Sequence, residues 1–125
     1  MADFNHRLLD LAVQIQQIPA PTFAEKPRAE FVREMFVKEG LKDVSLDSVN
    51  NVFGHWVGGG QARPLIVSAH LDTVFSAEVD LHVRREEGRI YGLGIGDNAL
   101  GVAALFGLQW LLRERCRTWP LPSSK

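Results

Sequence analysis

Pro64-Leu65-Ile66-Val67-Ser68-Ala69-His70-Leu71-Asp72-Thr73-Val74 is the stretch on which the fold turns. Leu65, Ile66 and Val67 make an unbroken apolar run after a proline, the pattern of a strand covered on both faces. The run then gives way to His70-Leu71-Asp72. Side chains two apart on an extended chain point the same way. His70 and Asp72 therefore project together from the carboxyl end of the predicted strand, where open α/β sheets hold their ligands. An imidazole beside a carboxylate suits metal binding, because one ring nitrogen ligates while the other donates to the acid and fixes the tautomer. A loop histidine with an incidental acidic neighbour gives the same triplet, and the triplet alone leaves both readings open.

Working towards the N-terminus, Leu8, Leu11, Ala12, Ile15 and Ile18 recur at helical spacing with Gln14, Gln16 and Gln17 among them. This predicts an amphipathic helix from about Phe4 to Ile18, stopped by Pro19-Ala20-Pro21. Thr22-Phe23-Ala24-Glu25 has the spacing of a capping box, and Pro27 suits the first turn of a second helix. That helix has its body over Ala29 to Glu39, an apolar face of Val32, Met35 and Phe36, and Gly40 as its C-terminal cap. Asp43 to Val49 alternates polar and apolar as a half-buried strand does, Asn50-Asn51 reads as a turn, and Val52 to Val57 as the next strand, closed by Gly58-Gly59-Gly60. Beyond the opening stretch, Leu81 to Tyr91 reads as a hairpin with its tip at Gly88. Asn98 to Arg115 reads as a helix apolar on most sides, expected to lie buried against a sheet. This order predicts a mixed α/β domain around a central buried strand.

A second glycine-rich constellation, Gly92-Leu93-Gly94-Ile95-Gly96-Asp97-Asn98-Ala99-Leu100-Gly101, precedes that last helix. Alternate glycines let a backbone approach something closely. Asp97 at a helix mouth is equally a common N-cap, so a plain turn with a capping aspartate also fits. A dinucleotide loop does not: the glycine spacing is wrong, and an acid stands where a pyrophosphate needs bare amides. His6, His55 and His82 match no motif and read as surface or edge residues. Trp56, Trp110 and the phenylalanines read as core or partner surface.

Composition sets the outer bounds. The 125 residues suffice for one domain, 46% hydrophobic and 23% charged, as in ordinary globular proteins. The formal net charge of -1, with both signs interspersed, gives no footprint for nucleic acid or a membrane surface. Cys116 is the single cysteine, which excludes an intrachain disulfide or a cysteine zinc cluster and agrees with a cytoplasmic setting. No apolar signal core opens the chain, and the most apolar stretch, Ala99 to Leu112, reads as too short to span a bilayer.

Taken together, a strand ending in His70-Leu71-Asp72 and a helix start at Gly94-Ile95-Gly96-Asp97-Asn98 resemble the co-catalytic di-zinc amidohydrolases and exopeptidases. These are the aminoacylases, acetylornithine deacetylases, succinyl-diaminopimelate desuccinylases, glutamate carboxypeptidases and tripeptidases. The likeness extends to Ile18-Pro19-Ala20-Pro21-Thr22, to Glu39-Gly40-Leu41 and to Asn51-Val52-Phe53-Gly54. It implies the N-terminal part of a zinc-exopeptidase-like (phosphorylase/hydrolase-like) catalytic domain, with a partial mixed sheet flanked by helices. His70 would then ligate one zinc. Asp72, the catalytic-site carboxylate, would orient His70, and Asp97 would bridge two zinc ions, with cobalt or manganese as substitutes. The substrate class would be small peptides or N-acyl amino acids. Such enzymes often carry an acid and then a lysine after the bridging aspartate; Asn98 and Ala99 stand here instead, which leaves the subfamily open.

The same resemblance implies residues that this chain does not supply. The relatives complete the site with a Glu-Glu pair, a further acid and a final histidine, whereas after Asp97 this sequence holds only Glu114 and no histidine. Residues 1–125 are therefore expected to be a truncated part of a catalytic domain without its lid or dimerisation domain, inactive alone, from a cut or frame-shifted reading frame. Pro120 and Pro122 argue against a further strand at the end. Self-association through an exposed sheet edge is the expected consequence. The alternative is a non-catalytic metal-binding or interaction module.

Overall fold

The computed structural model describes residues 2–57 and 63–115. The Gly58-Gly59-Gly60 closure, Cys116 and the prolines near the end lie outside the described residues. Three helices carry the core: α1 (Ala2–Gln16), α2 (Lys26–Lys38) and α3 (Leu100–Arg115). Leu11, Ala12 and Ile15 of α1 meet Val32 and Phe36 of α2 and Val102, Ala103, Phe106 and Trp110 of α3 in one buried cluster. Phe36 and Phe106 pack with ring centroids 5.3 Å apart.

The helix expectations hold to within a few residues. Pro27 lies in the first turn of α2, and Gly40 ends that helix region at φ +81, a conformation glycine takes without steric cost. The capping box does not form. The N-cap of α2 is Glu25, with no side-chain cap, and Thr22 turns its hydroxyl elsewhere.

Two antiparallel hairpins flank the helices. β1 (Lys42–Leu46) pairs with β2 (Val52–His55) in the register Leu46 opposite Val52, and β3 (Arg84–Glu86) pairs with β4 (Arg89–Tyr91) around Gly88 at φ +77. The first hairpin lies on α2, with Leu41, Val44 and Val52 against the core.

The expected mixed sheet with a buried central strand is not what forms. The two sheets are separate and two-stranded. Among the described residues, 63–72 join no ladder, and Leu65 and Ile66 are 86% and 87% exposed. A doubly covered strand needs neighbours on both edges and layers on both faces, and the described residues provide none. Likewise α3 buries its apolar side against α1 and α2, not against a sheet, and leaves Leu100 and Leu108 partly open. A π-turn (Ile95–Ala99) extends this helix into a 21-residue run, Ile95–Arg115, long and apolar enough by length and composition to cross a membrane. The run extends the expected stretch, Ala99 to Leu112, at both ends. Its packing in the core cluster accounts for part of that apolarity, with 39% of the most apolar window buried.

Candidate metal centre

Three of the residues singled out from the sequence converge. Ala69 and Leu71 pack against the core, so the alternating side chains His70 and Asp72 face outward together, although no ladder holds the segment. The His70 ring lies between two carboxylates. Its Nδ1 is 3.2 Å from Asp72 Oδ1 and 3.1 Å from the Asp72 carbonyl oxygen, while its Nε2 is 3.0 Å from Asp97 Oδ1.

Asp97 reaches this position because it does not cap the helix. The cap residue is Gly94, in the left-handed region at φ +75, and the Ala99 N–H donates to the Gly94 carbonyl across a π-type turn. Inside that turn Asp97 and Asn98 leave helical geometry, at φ -135 and -136. Asp97 is thereby freed from the backbone amides a capping aspartate would bind, and the capping alternative is excluded. Asn98 folds back over Gly101, where its amide occupies the space a Cβ would need.

The Asp72 carboxylate is held in turn. Thr22 donates from Oγ1 to Asp72 Oδ2 at 2.7 Å. This hydrogen bond keeps the Asp72 carboxyl below the usual carboxylate range against the opposing effect of burial, and attraction to His70 adds to the lowering. Below the loop lies Arg28, buried in the core. Its guanidinium donates to the carbonyls of Ile18 (2.7 and 3.0 Å) and Leu71 (2.8 Å), and a longer contact reaches the Gln16 carbonyl at 3.5 Å. Burial lowers its pKa, and the negative charge of Asp72 works in the opposite direction.

Sequence reasoning missed Thr22, Arg28 and Gln16. Gln16 falls among the polar positions of the first helix in sequence, yet it is buried and donates to the carbonyls of Leu81 (3.2 Å) and Leu93 (3.0 Å). Polar residues inside otherwise regular helix faces were the available signal.

An imidazole that donates from Nδ1 presents a bare lone pair at Nε2, and a carboxylate oxygen 3.0 Å away also only accepts. A proton or a cation must stand between two such acceptors. Two ligands on one tetrahedral zinc lie about 3.3 Å apart for bonds of ~2.0–2.1 Å, so the pair suits two corners of such a site. Three protein ligands are usual for catalytic zinc. Among the described residues no group of three or more His, Cys, Asp or Glu side chains is arranged to hold a metal ion. Glu114 does not help: it lines a cleft with Phe4, Arg7, Glu39 and Trp110, about 25 Å from Asp97 along the helix at 1.5 Å per residue.

The family model for peptidase family M28 matches residues 51–118, more than half of the chain. The chain belongs to peptidase family M28. The matched stretch contains His70, Asp72 and Asp97, so the M28 match and the convergent geometry fall on the same residues. At this coarse level the chain is metallopeptidase-like. The M28 segment begins at Asn51, which leaves Gln16, Thr22 and Arg28 outside it.

Proposed function

We propose that the chain carries half of a di-zinc site for hydrolysing peptide or amide bonds, of the exopeptidase or N-acyl amino acid deacylase kind. The observation that carries this reading is the His70 ring held between Asp72 and Asp97, with Nε2 turned to the Asp97 carboxylate at 3.0 Å. In it His70 and Asp97 would hold the metal, and the second oxygen of Asp97 would be free for a neighbouring ion. Asp72 anchors Nδ1–H, so that Nε2 carries the lone pair. Zinc, when bound, supplies Lewis acidity towards the amide carbonyl and the water that attacks it. The chain's own residues orient the ligands; none of those described stands ready as the general base that takes a proton from the water. We therefore expect binding without turnover.

The test is zinc titration of the purified chain by calorimetry, beside His70→Ala and Asp97→Asn, with hydrolysis of dipeptides and N-acyl amino acids followed in zinc-loaded samples. Weak zinc binding that both substitutions abolish, with no hydrolysis, is the expected result. Turnover by the chain alone would overturn the inactivity. Zinc binding unchanged in both variants would remove the site. Tight stoichiometric zinc without turnover would favour the second reading, a non-catalytic metal-binding module, which the two-ligand geometry also accommodates.

A further inference from the structure

The two halves of the candidate site come from loops far apart in the chain, and both are held by the same short N-terminal segment. On one side, the Thr73 N–H donates to the Ala20 carbonyl at 2.8 Å, Pro21 bridges to Thr73, Thr22 holds Asp72 Oδ2, and Arg28 holds the Leu71 carbonyl. On the other, Gln16 holds the Leu93 carbonyl, next to the left-handed Gly94 from which the Asp97 turn starts. Arg28 reaches the Gln16 carbonyl as well, so the two grips share one buried polar cluster. A buried guanidinium or amide is costly to leave without partners, and a cluster with its donors satisfied by specific carbonyls is correspondingly stiff. These contacts fix where Leu71 and Leu93 lie relative to each other, and with them His70 and Asp97.

We infer that Gln16, Thr22 and Arg28 are positioning residues that set the separation of His70 and Asp97 and the orientation of the His70 ring. They make residues 16–28, which precede the matched family segment, a structural part of the metal centre. The inference rests on the reading of His70 and Asp97 as metal ligands, and it reaches residues to which that reading gives no role.

Thr22 gives the sharpest test, because its hydroxyl is exposed and its replacement leaves the core untouched. Thr22→Val keeps the shape and removes the donor; Thr22→Ser keeps the donor and removes a methyl. Gln16→Met releases the Leu93 carbonyl at nearly constant volume. Arg28→Lys leaves buried carbonyls without their partner and is the variant most prone to misfold, so the Thr22 pair decides. Two quantities are read on the folded full chain: zinc affinity by calorimetry, and, without metal and at fixed pH, the imidazole ¹⁵N spectrum of His70, which reports which ring nitrogen carries the proton. Thr22→Val and Gln16→Met are expected to weaken zinc binding about 10- to 100-fold, the usual effect of removing a group that orients a metal ligand. Thr22→Ser is expected to restore the unsubstituted affinity and spectrum. A packing role alone would give the reverse order, with valine benign and serine harmful, and that order would overturn the inference. Unchanged affinity and unchanged spectra in both Thr22→Val and Gln16→Met would overturn it as well. If the unsubstituted chain takes up no zinc, the zinc reading fails, while the metal-free His70 spectra still decide the positioning role.

Discussion

Asp97 depends on the residue that follows it. The Asn98 side chain lies against Gly101, filling the position of a Cβ there. Any larger residue at 101 must displace the Asn98 amide, whose backbone adjoins Asp97 in the turn that faces His70. Gly101→Ala is therefore expected to destabilise the fold by about 1–3 kcal/mol, the range for overpacking a filled site, read as a lower urea midpoint. Zinc affinity should fall in the same variant, since Asp97 and Asn98 share one peptide unit. A midpoint equal to that of the parent would mean that Asn98 swings away freely and that Gly101 is dispensable. At this scale the sequence was informative where the signal was local. The two-residue alternation that places His70 and Asp72 on one side needs nothing beyond the pleat, and it holds even without a sheet.

The turn between β1 and β2 shows how an element is closed by one carboxylate. Asp47 Oδ1 accepts from the N–H groups of Val49 (3.0 Å) and Asn51 (2.8 Å), and Oδ2 accepts from the Asn51 amide at 3.0 Å. These bonds, led by the Asn51 backbone N–H, hold the Asp47 carboxyl below the usual carboxylate range. The folded chain thus binds this proton less readily than the unfolded chain does. Its contribution to stability is complete above the ordinary carboxylate range and is lost as pH falls through the lowered folded value. Urea midpoints measured from neutral to strongly acidic pH should show this decline, and Asp47→Ala should flatten it; an identical pH dependence in that variant would sink the assignment. Helices and hairpins were legible from periodicity and turn residues because both are local properties. Gln16 and Arg28 were not, since a polar residue in a helical pattern reads as solvent-facing, and the site-loop carbonyls they hold, Leu93 and Leu71, lie 77 and 43 residues away along the chain. The run Leu65 to Val67 failed for a related reason: its composition expresses a preference for burial, and the strands and layers that would bury it must come from elsewhere.

For the whole molecule, the division is between a three-helix core that carries the packing and a segment that contributes almost nothing to it. Leu65 and Ile66 are nearly fully exposed and Val67 half so, in a stretch that joins no ladder among the described residues and ends, at Val67, three residues before the candidate ligand His70. An exposed apolar run with unpaired backbone groups invites another chain to pair with it. We expect concentration-dependent self-association of the purified chain, seen as a rising mean mass in sedimentation experiments. Ile66→Lys places a charge in the middle of the run and should shift the population towards monomer. Because Ile66 makes no core contact, the same substitution should leave the urea midpoint close to its parent value, within the roughly 0.5 kcal/mol typical of surface changes. The two measurements separate the causes. A monomeric parent at all concentrations would show that the exposed run is tolerated, whereas a fall in stability with Ile66→Lys would place that side chain against the core after all.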